Sequence, residues 1–385
     1  MLRCASVFTY EIDDPDVALN EIKKQLEEKI TLLEHSVGIV MCHPEFISTG
    51  VLKHICENLP FDLAGVTTSS QAVNDGIGEL ILTIFVMTSD DVWFRTGVAE
   101  NLKDEVEGPL KTAYESVTEG VRARARLVVV FPPFGLRAGD AYVRAWETIV
   151  PGAPVFGTLA TDDSALFSEC ETIYNGKNYK TGMSFLLCYG NIHPRFLIAT
   201  LSENSAVSSK FFITKAVENR VYEIDNKNAL GYFEEKGVAG SVMYSPFLID
   251  QIQRKDYDGI PVIRGFASFM EEGVAVFHGD IEEGSTMTLL KCDPEDIVSI
   301  TRRKASQIND LPNVNGAILF PCVVRRMTLL GINKPLMELE SAKDAINHDI
   351  PFMIGYAGGE ICPTSSKNGV PRNRFHNYSL VILVV

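Results

Sequence analysis

Apolar positions along the 385-residue chain recur in two periods, and their alternation predicts a succession of helices and strands. Asp14-Pro15 marks a helix start, an acid able to cap the first turn followed by a proline within it. From there Leu19, Ile22, Leu26, Ile30 and Leu33 return at steps of three or four, forming one face of a packed helix. Val37–Met41 is a short unbroken apolar run and reads as a buried strand. A helix carrying Val51, Ile55 and Leu59 follows, then strands at Leu63–Thr67 and Glu79–Met87.

The same order returns twice. Asp91–Gly97, Leu127–Phe131, Pro154–Ala160 and Met183–Tyr189 read as strands, with helices over Glu105–Val121 and Gly139–Val150. A third pass takes Met287–Leu290 as a strand, a helix opened by Asp293-Pro294, a strand at Ala317–Phe320 and a helix over Pro335–Ile346. It closes with strands at Phe352–Tyr356 and Ser379–Val385. The pattern predicts an α/β or α+β fold with mixed sheets and flanking helices, built from repeated strand–helix–strand–helix–strand–strand units. GVTTSS (65–70), GTLATD (157–162) and GYAGGE (355–360) fall at equivalent places in the three units. The interval from about 200 to 285 reads either as a degenerate copy or as an insertion. The polar stretch Ser202–Lys210 suggests a division into residues 1–205, with two units, and 206–385, with the candidate ligand site.

Composition narrows the function. Apolar residues at 46% and charged residues at 22% fit a folding domain and exclude a disordered or fibrous chain. The balance of 35 Lys+Arg against 50 Asp+Glu, net −15, repels phosphate backbones and anionic lipid surfaces, so no nucleic-acid partner is expected. No apolar run approaches the ~20 residues of a membrane helix, so no membrane insertion is expected either. Glu11, Asp13 and Asp14 precede any stretch able to act as a signal-peptide core. Eight scattered cysteines read as free thiols in a reducing compartment, which places the protein in the cytoplasm.

Ligands of such sheets favour the carboxyl ends of strands, beside helix N-termini. At those places the third unit alone combines a thiol, guanidinium groups, a carboxylate and a glycine pair: Cys322, Arg325, Arg326, Glu360 and Gly358-Gly359. Arg325 is suited to gripping a carboxylate through two parallel hydrogen bonds, and Glu360 to accepting from an ammonium or amide. Gly359 would let a ligand approach the backbone, and Arg374, His376 and Asn377 precede the closing strand. Arginines gather in this last unit (Arg325, Arg326, Arg372, Arg374), which suggests a basic pocket for a small anion. Plainer readings stand beside these: an Arg325–Glu360 salt bridge between loops, a packed Cys322 thiol, and a loop histidine at 376. Cys42-His43 and His54-x-Cys56 lack the ligand spacing of a zinc site, and Gly76-Ile77-Gly78 reads as a turn rather than a phosphate loop, so neither metal nor cofactor is expected.

PCVVRR, GYAGGEICP and NRFHNYSLVILVV resemble the C-terminal signature of the FIST domain family, named for F-box and intracellular signal transduction proteins. The matching residues are Cys322 and Arg325, Gly359-Glu360-Ile361, and Phe375-His376-Asn377. VYEIDNKNALGYFEE resembles a further family segment at Glu223, Asp225 and Ala229, with Asn226 and Asn228 standing where glycine and proline are usual. GVTTSS and GTLATDD resemble the two glycine-rich stretches of the family's N-terminal region, with Ala160 and Asp162 fitting its Ala-x-Asp. The resemblance runs from about residue 35 to the end and implies a sensory module that binds a small molecule such as an amino acid. No output domain fits within the repeat pattern, so signalling would run through a separate protein partner. The leading expectation is therefore a cytosolic sensor for an amino acid or other small carboxylate, held by Arg325, Glu360, Cys322, Arg374, His376, Asn377 and Gly359. The alternatives are a thiol-dependent hydrolase or transferase, with Cys322 as nucleophile and His376 as base, and a protein-interaction scaffold.

Overall fold

The computed structural model describes residues 1–164, 166–201, 205–237, 239, 246–250, 261–365 and 371–385. Three mixed six-stranded sheets share one connectivity. In the first unit the strands Arg3–Thr9, His35–Cys42, Asp62–Thr67 and Leu82–Ser89 lie in the order first, fourth, second, third, with the second and third parallel. The second unit repeats this with Val92–Ala99, Leu127–Phe131, Val155–Thr158 and Met183–Gly190. The third does so with Arg195–Ala199, Ala317–Pro321, Phe352–Gly355 and Leu380–Val384. Met287–Leu290 is thus not the opening strand of the third unit. Its core, Thr286–Leu289, pairs elsewhere, and Arg195–Ala199 takes that place against Leu380–Val384.

Each sheet is completed by its neighbour. Between its third and fourth strands every unit carries a hairpin. Gln71–Gly78 extends the third unit's sheet, Thr172–Tyr179 the first, and Glu360–His376 the second. The exchange closes a ring. Ile39, Met41 and Phe85 of the first unit, Val129 and Phe131 of the second, and Ile318 and Phe320 of the third meet in one shared core. Helices cover the outer faces. The helix Pro15–Lys29 is capped by the Asp14 carboxylate, which accepts from the Asp16 and Val17 N–H groups, as its sequence predicts. It buries Leu19, Ile22 and Leu26 on the first sheet, about 1.5–3 kcal/mol for each side chain. It stops at Lys29 because Ile30 turns extended, so Leu33 lies beyond it.

In two of the three matched stretches the shared glycine answers to a close backbone approach, whereas Gly355 faces the Met41 side chain. A Cβ on Gly65 would lie 1.7 Å from the Val40 carbonyl oxygen, and one on Gly157 would lie 2.0 Å from that of Val130. Past these glycines the three loops bond to one another. Thr161 N–H donates to the Thr67 carbonyl at 3.0 Å, Thr68 Oγ1 to that of Tyr356 at 2.8 Å, and Gly358 N–H to that of Leu159 at 3.0 Å.

The described residues between Arg195–Ala199 and the helix Pro294–Ser306 form an insertion. Its strands Phe211–Val217, Thr286–Leu289, Pro246–Asp250, Val262–Phe269, Ala275–Phe277 and Arg220–Ile224 pair in that order, and the last returns to the first, closing an antiparallel barrel. The short helix Ala229–Glu235 places Phe233 in its aromatic core, 5.8 Å from Phe247 and 6.0 Å from Phe269 between ring centroids. The Asp225-Asn226 turn before that helix has positive φ at both positions, a conformation asparagine tolerates. Of the polar stretch Ser202–Lys210, residues 202–204 lie outside the described residues.

Candidate functional site

The third unit's carboxyl end is closed. Arg325, fully buried in the helix Val323–Leu330, does not meet Glu360. Its Nε donates to Glu338 Oε1 at 2.8 Å, its Nη2 to Thr301 Oγ1 at 2.7 Å, and its Nη1 to the Tyr378 carbonyl at 3.2 Å. The guanidinium therefore ties three segments together and faces the interior. Arg326 pairs with Glu79, and its Nε donates to Ser70 Oγ at 2.8 Å. Both arginines of this helix are thus paired within the fold.

Cys322 and Glu360 lie side by side, both buried. Burial raises the Glu360 carboxyl well above its usual range, and burial together with the Glu360 charge raises the thiol. A thiol held in that state is a poor nucleophile. His376 lies in the strand Pro371–His376, not in a loop, directly opposite Glu360. Its Nε2 donates to the Cys362 carbonyl at 3.2 Å, and burial pushes the imidazole down to about 4. Among the described residues no hydrogen bond joins Cys322 to His376, so the thiolate–imidazole geometry of the enzyme alternative is not formed. Arg374 is buried on the same strand, opposite Cys362.

The rest of the signature joins the barrel to the second unit. Asn377 Oδ1 accepts the Gly265 N–H of the barrel at 3.2 Å. Phe375 packs between two glycines: a Cβ on Gly139 would come within 2.2 Å of its ring, and one on Gly359, at φ +142, within 2.5 Å. Arg264, fully buried on the barrel strand Val262–Phe269, covers this ring at 5.9 Å. Its Nη1 donates to the Phe375 carbonyl at 3.0 Å, its Nε to the Asp280 carbonyl at 2.9 Å, and its Nη2 to both Asp140 oxygens at 3.1 and 3.2 Å. Asp140 opens the helix Gly139–Ile149 and also accepts the Asp280 N–H at 2.8 Å. Arg264, Asp140 and Asp280 were not singled out from sequence. A lone arginine inside the apolar run VIRGF was the available signal.

Above this clamp a cleft of about 700 Å³ opens between the second unit and the barrel. One wall is the loop Phe134–Ala138 after the strand Leu127–Phe131, where that sheet's parallel strands end. The other is the barrel turn at Glu218, Asn219 and Arg220 with Val276–His278. Gly358 and Phe375 form its floor. Asp280 lines it at 5% exposure, pairs with Arg144, and keeps Oδ1 without a hydrogen-bond partner. Burial, and then the nearby Asp140 charge, raise the Asp280 carboxyl. His278 packs on Phe134 at 5.7 Å, and burial pushes its imidazole down to about 4. Of the sequence-predicted residues, Gly359, Arg374 and His376 are chain neighbours of the floor residues Gly358 and Phe375, but neither they nor Asn377, Glu360, Arg325 and Cys322 line the cleft. His43 lies 3.2 Å from Asp163 and His54 2.9 Å from Asp16, and no cluster of three or more His, Cys, Asp or Glu forms among the described residues.

A three-unit α/β body carrying an inserted barrel, with a polar cleft at their junction, defines a two-part domain with one open site between its parts. The FIST N domain model matches residues 36–227 and the FIST C domain model residues 227–363, so the chain belongs to the FIST family of sensory signal-transduction domains. The two matches meet inside the barrel, just after the Asp225-Asn226 turn. No curated protein matches the chain.

Proposed function

We propose that this protein is a sensor for a small polar ligand, an amino acid or other small carboxylate, bound in the cleft between the second unit and the barrel. The observation that carries this reading is Asp280. A buried carboxylate oxygen without a partner costs about 1–3 kcal/mol or more, and a ligand donor would remove that cost. Arg220, at the opposite wall, offers a guanidinium for a ligand carboxylate. Gly359, Glu360, Arg374, His376 and Asn377 act beneath the ligand by fixing the floor, and Arg325 and Cys322 by holding the third unit closed. The free cysteines fit a reducing, cytoplasmic setting. Output runs through a separate protein partner that reads the position of the barrel on the body.

Thermal melting against amino acids and small carboxylates tests this. A ligand at a hundredfold its dissociation constant adds about 2.7 kcal/mol, which raises the melting temperature by several degrees. Asp280→Asn abolishes the shift. The absence of any shift across the panel overturns the proposal.

A further inference from the structure

We propose that the ligand of this cleft is an amino acid with a positively charged side chain, its α-ammonium held by Asp280 and its side-chain cation by an acidic lip. The inference rests on the cleft being the ligand site and concerns which ligand it selects.

The charges on the walls are not balanced. Asp104, Glu105 and Glu107 stand together at the mouth, and all three are exposed, while Asp280 lies buried within. The arginines are unequal partners for a ligand. Arg144 is taken by Asp280. Arg137 is spent on the wall, its Nη2 donating to the Lys103 and Asp104 carbonyls at 2.6 Å. That bond holds the acidic lip against the loop Phe134–Ala138. His278 stays neutral at physiological pH, since burial pushes it down to about 4. Arg220 lines the cleft from the barrel ladder, and its guanidinium makes no hydrogen bond or ion pair among the described residues, so it is left for one ligand carboxylate. The cleft thus offers one anion-binding group, one buried cation-binding oxygen, and a second cation-binding cluster at its rim.

Simple carboxylates leave both acidic places unfilled, and an acidic side chain meets repulsion at the lip. A neutral amino acid fills Asp280 and Arg220 only. A basic amino acid fills all three, so selectivity resides in the rim and anchoring in Asp280.

Titration calorimetry on the full chain with L-arginine, L-citrulline and L-glutamate separates these roles, because citrulline has nearly the shape of arginine without its charge. Arginine binds at least tenfold tighter than citrulline, and glutamate weakest. The triple variant Asp104→Asn, Glu105→Gln, Glu107→Gln reduces that preference below threefold. Asp280→Asn weakens arginine and citrulline alike. The lip residues are exposed, so the triple variant reads the preference even where Asp280→Asn folds poorly. A preference under tenfold in the wild-type chain, or one that survives the triple variant, overturns the inference and leaves the cleft as a ligand site. Failure of all three ligands, with none binding from the wider panel, overturns the proposed function as well.

Discussion

The carboxyl ends of the second and third units follow the same strand order, yet one is open and the other sealed. In the third, Arg325 finds Glu338, Thr301 and backbone carbonyls, and Cys322 lies against Glu360. In the second, the charged groups Arg264 and Asp140 hold the barrel against the helix Gly139–Ile149, and the space above them keeps Asp280 Oδ1 unsatisfied. Topology makes equivalent places, and the fate of each polar group decides which becomes a site. A cluster of charges is a ligand site only where the fold has not already consumed it.

The sharpest break of this comparison comes from Arg325→Ala. It strands Glu338 in the core, and losing one member of a buried pair costs about 3–5 kcal/mol by denaturant unfolding. Arg325→Met with Glu338→Leu recovers most of that loss. Ligand affinity of the folded fraction stays unchanged in both, and a loss would return Arg325 to the binding site.

Next in size is a pH effect. His376 and His278 have folded values near 4 against about 6.5 when unfolded. Above pH 6.5 both states are neutral and the groups contribute nothing. As pH falls from 6.5 towards 4 the unfolded chain takes up protons that the folded chain refuses, so stability declines. For His376 the full loss is about 3 kcal/mol. His376→Asn therefore flattens its share of the decline between pH 6.5 and 4, and an unchanged slope would show that His376 is not desolvated.

Gly359→Ala tests the floor. It combines a positive φ of +142 with a contact of 2.5 Å to Phe375, and such strain costs about 1–3 kcal/mol. The variant weakens ligand binding along with stability, whereas Gly231→Ala, with nothing within 4 Å of its added Cβ, leaves binding intact. The smallest expected signal is chemical. Cys322 reacts with iodoacetamide no faster than the other buried thiols, and selective labelling would revive the nucleophile reading.

Much of the body was legible because local signals are strong. Asp14-Pro15 and Asp293-Pro294 cap their helices as read, and the glycines at 65 and 157 mark close backbone approaches. Sheet membership was not legible, since Ile173 pairs with Gly65 and Ile361 with Gly157 across long separations that local periodicity does not encode. The barrel does not declare itself as copy or insertion because, among the described residues, only one short α-helix, Ala229–Glu235, interrupts its strands, where the other units carry longer helices between theirs. For the cleft, the signature stretch supplies only Gly358 and Phe375 of the lining, while the charged walls hold Arg137, Glu218, Arg220 and Asp280. Those residues sit in turns, loops and at a strand start, and their convergence depends on the barrel docking, a tertiary fact with no local pattern.

Ligand is expected to bind at the open end of the second unit and not at the sealed end of the third. Amide hydrogen exchange with and without a ligand chosen from the melting panel tests it most directly. Added protection is expected at Phe134–Ala138, at Glu218–Arg220 and around Asp280, with the helix Val323–Leu330 unchanged. Protection confined to that helix and to the Gly355–Glu360 stretch would contradict it.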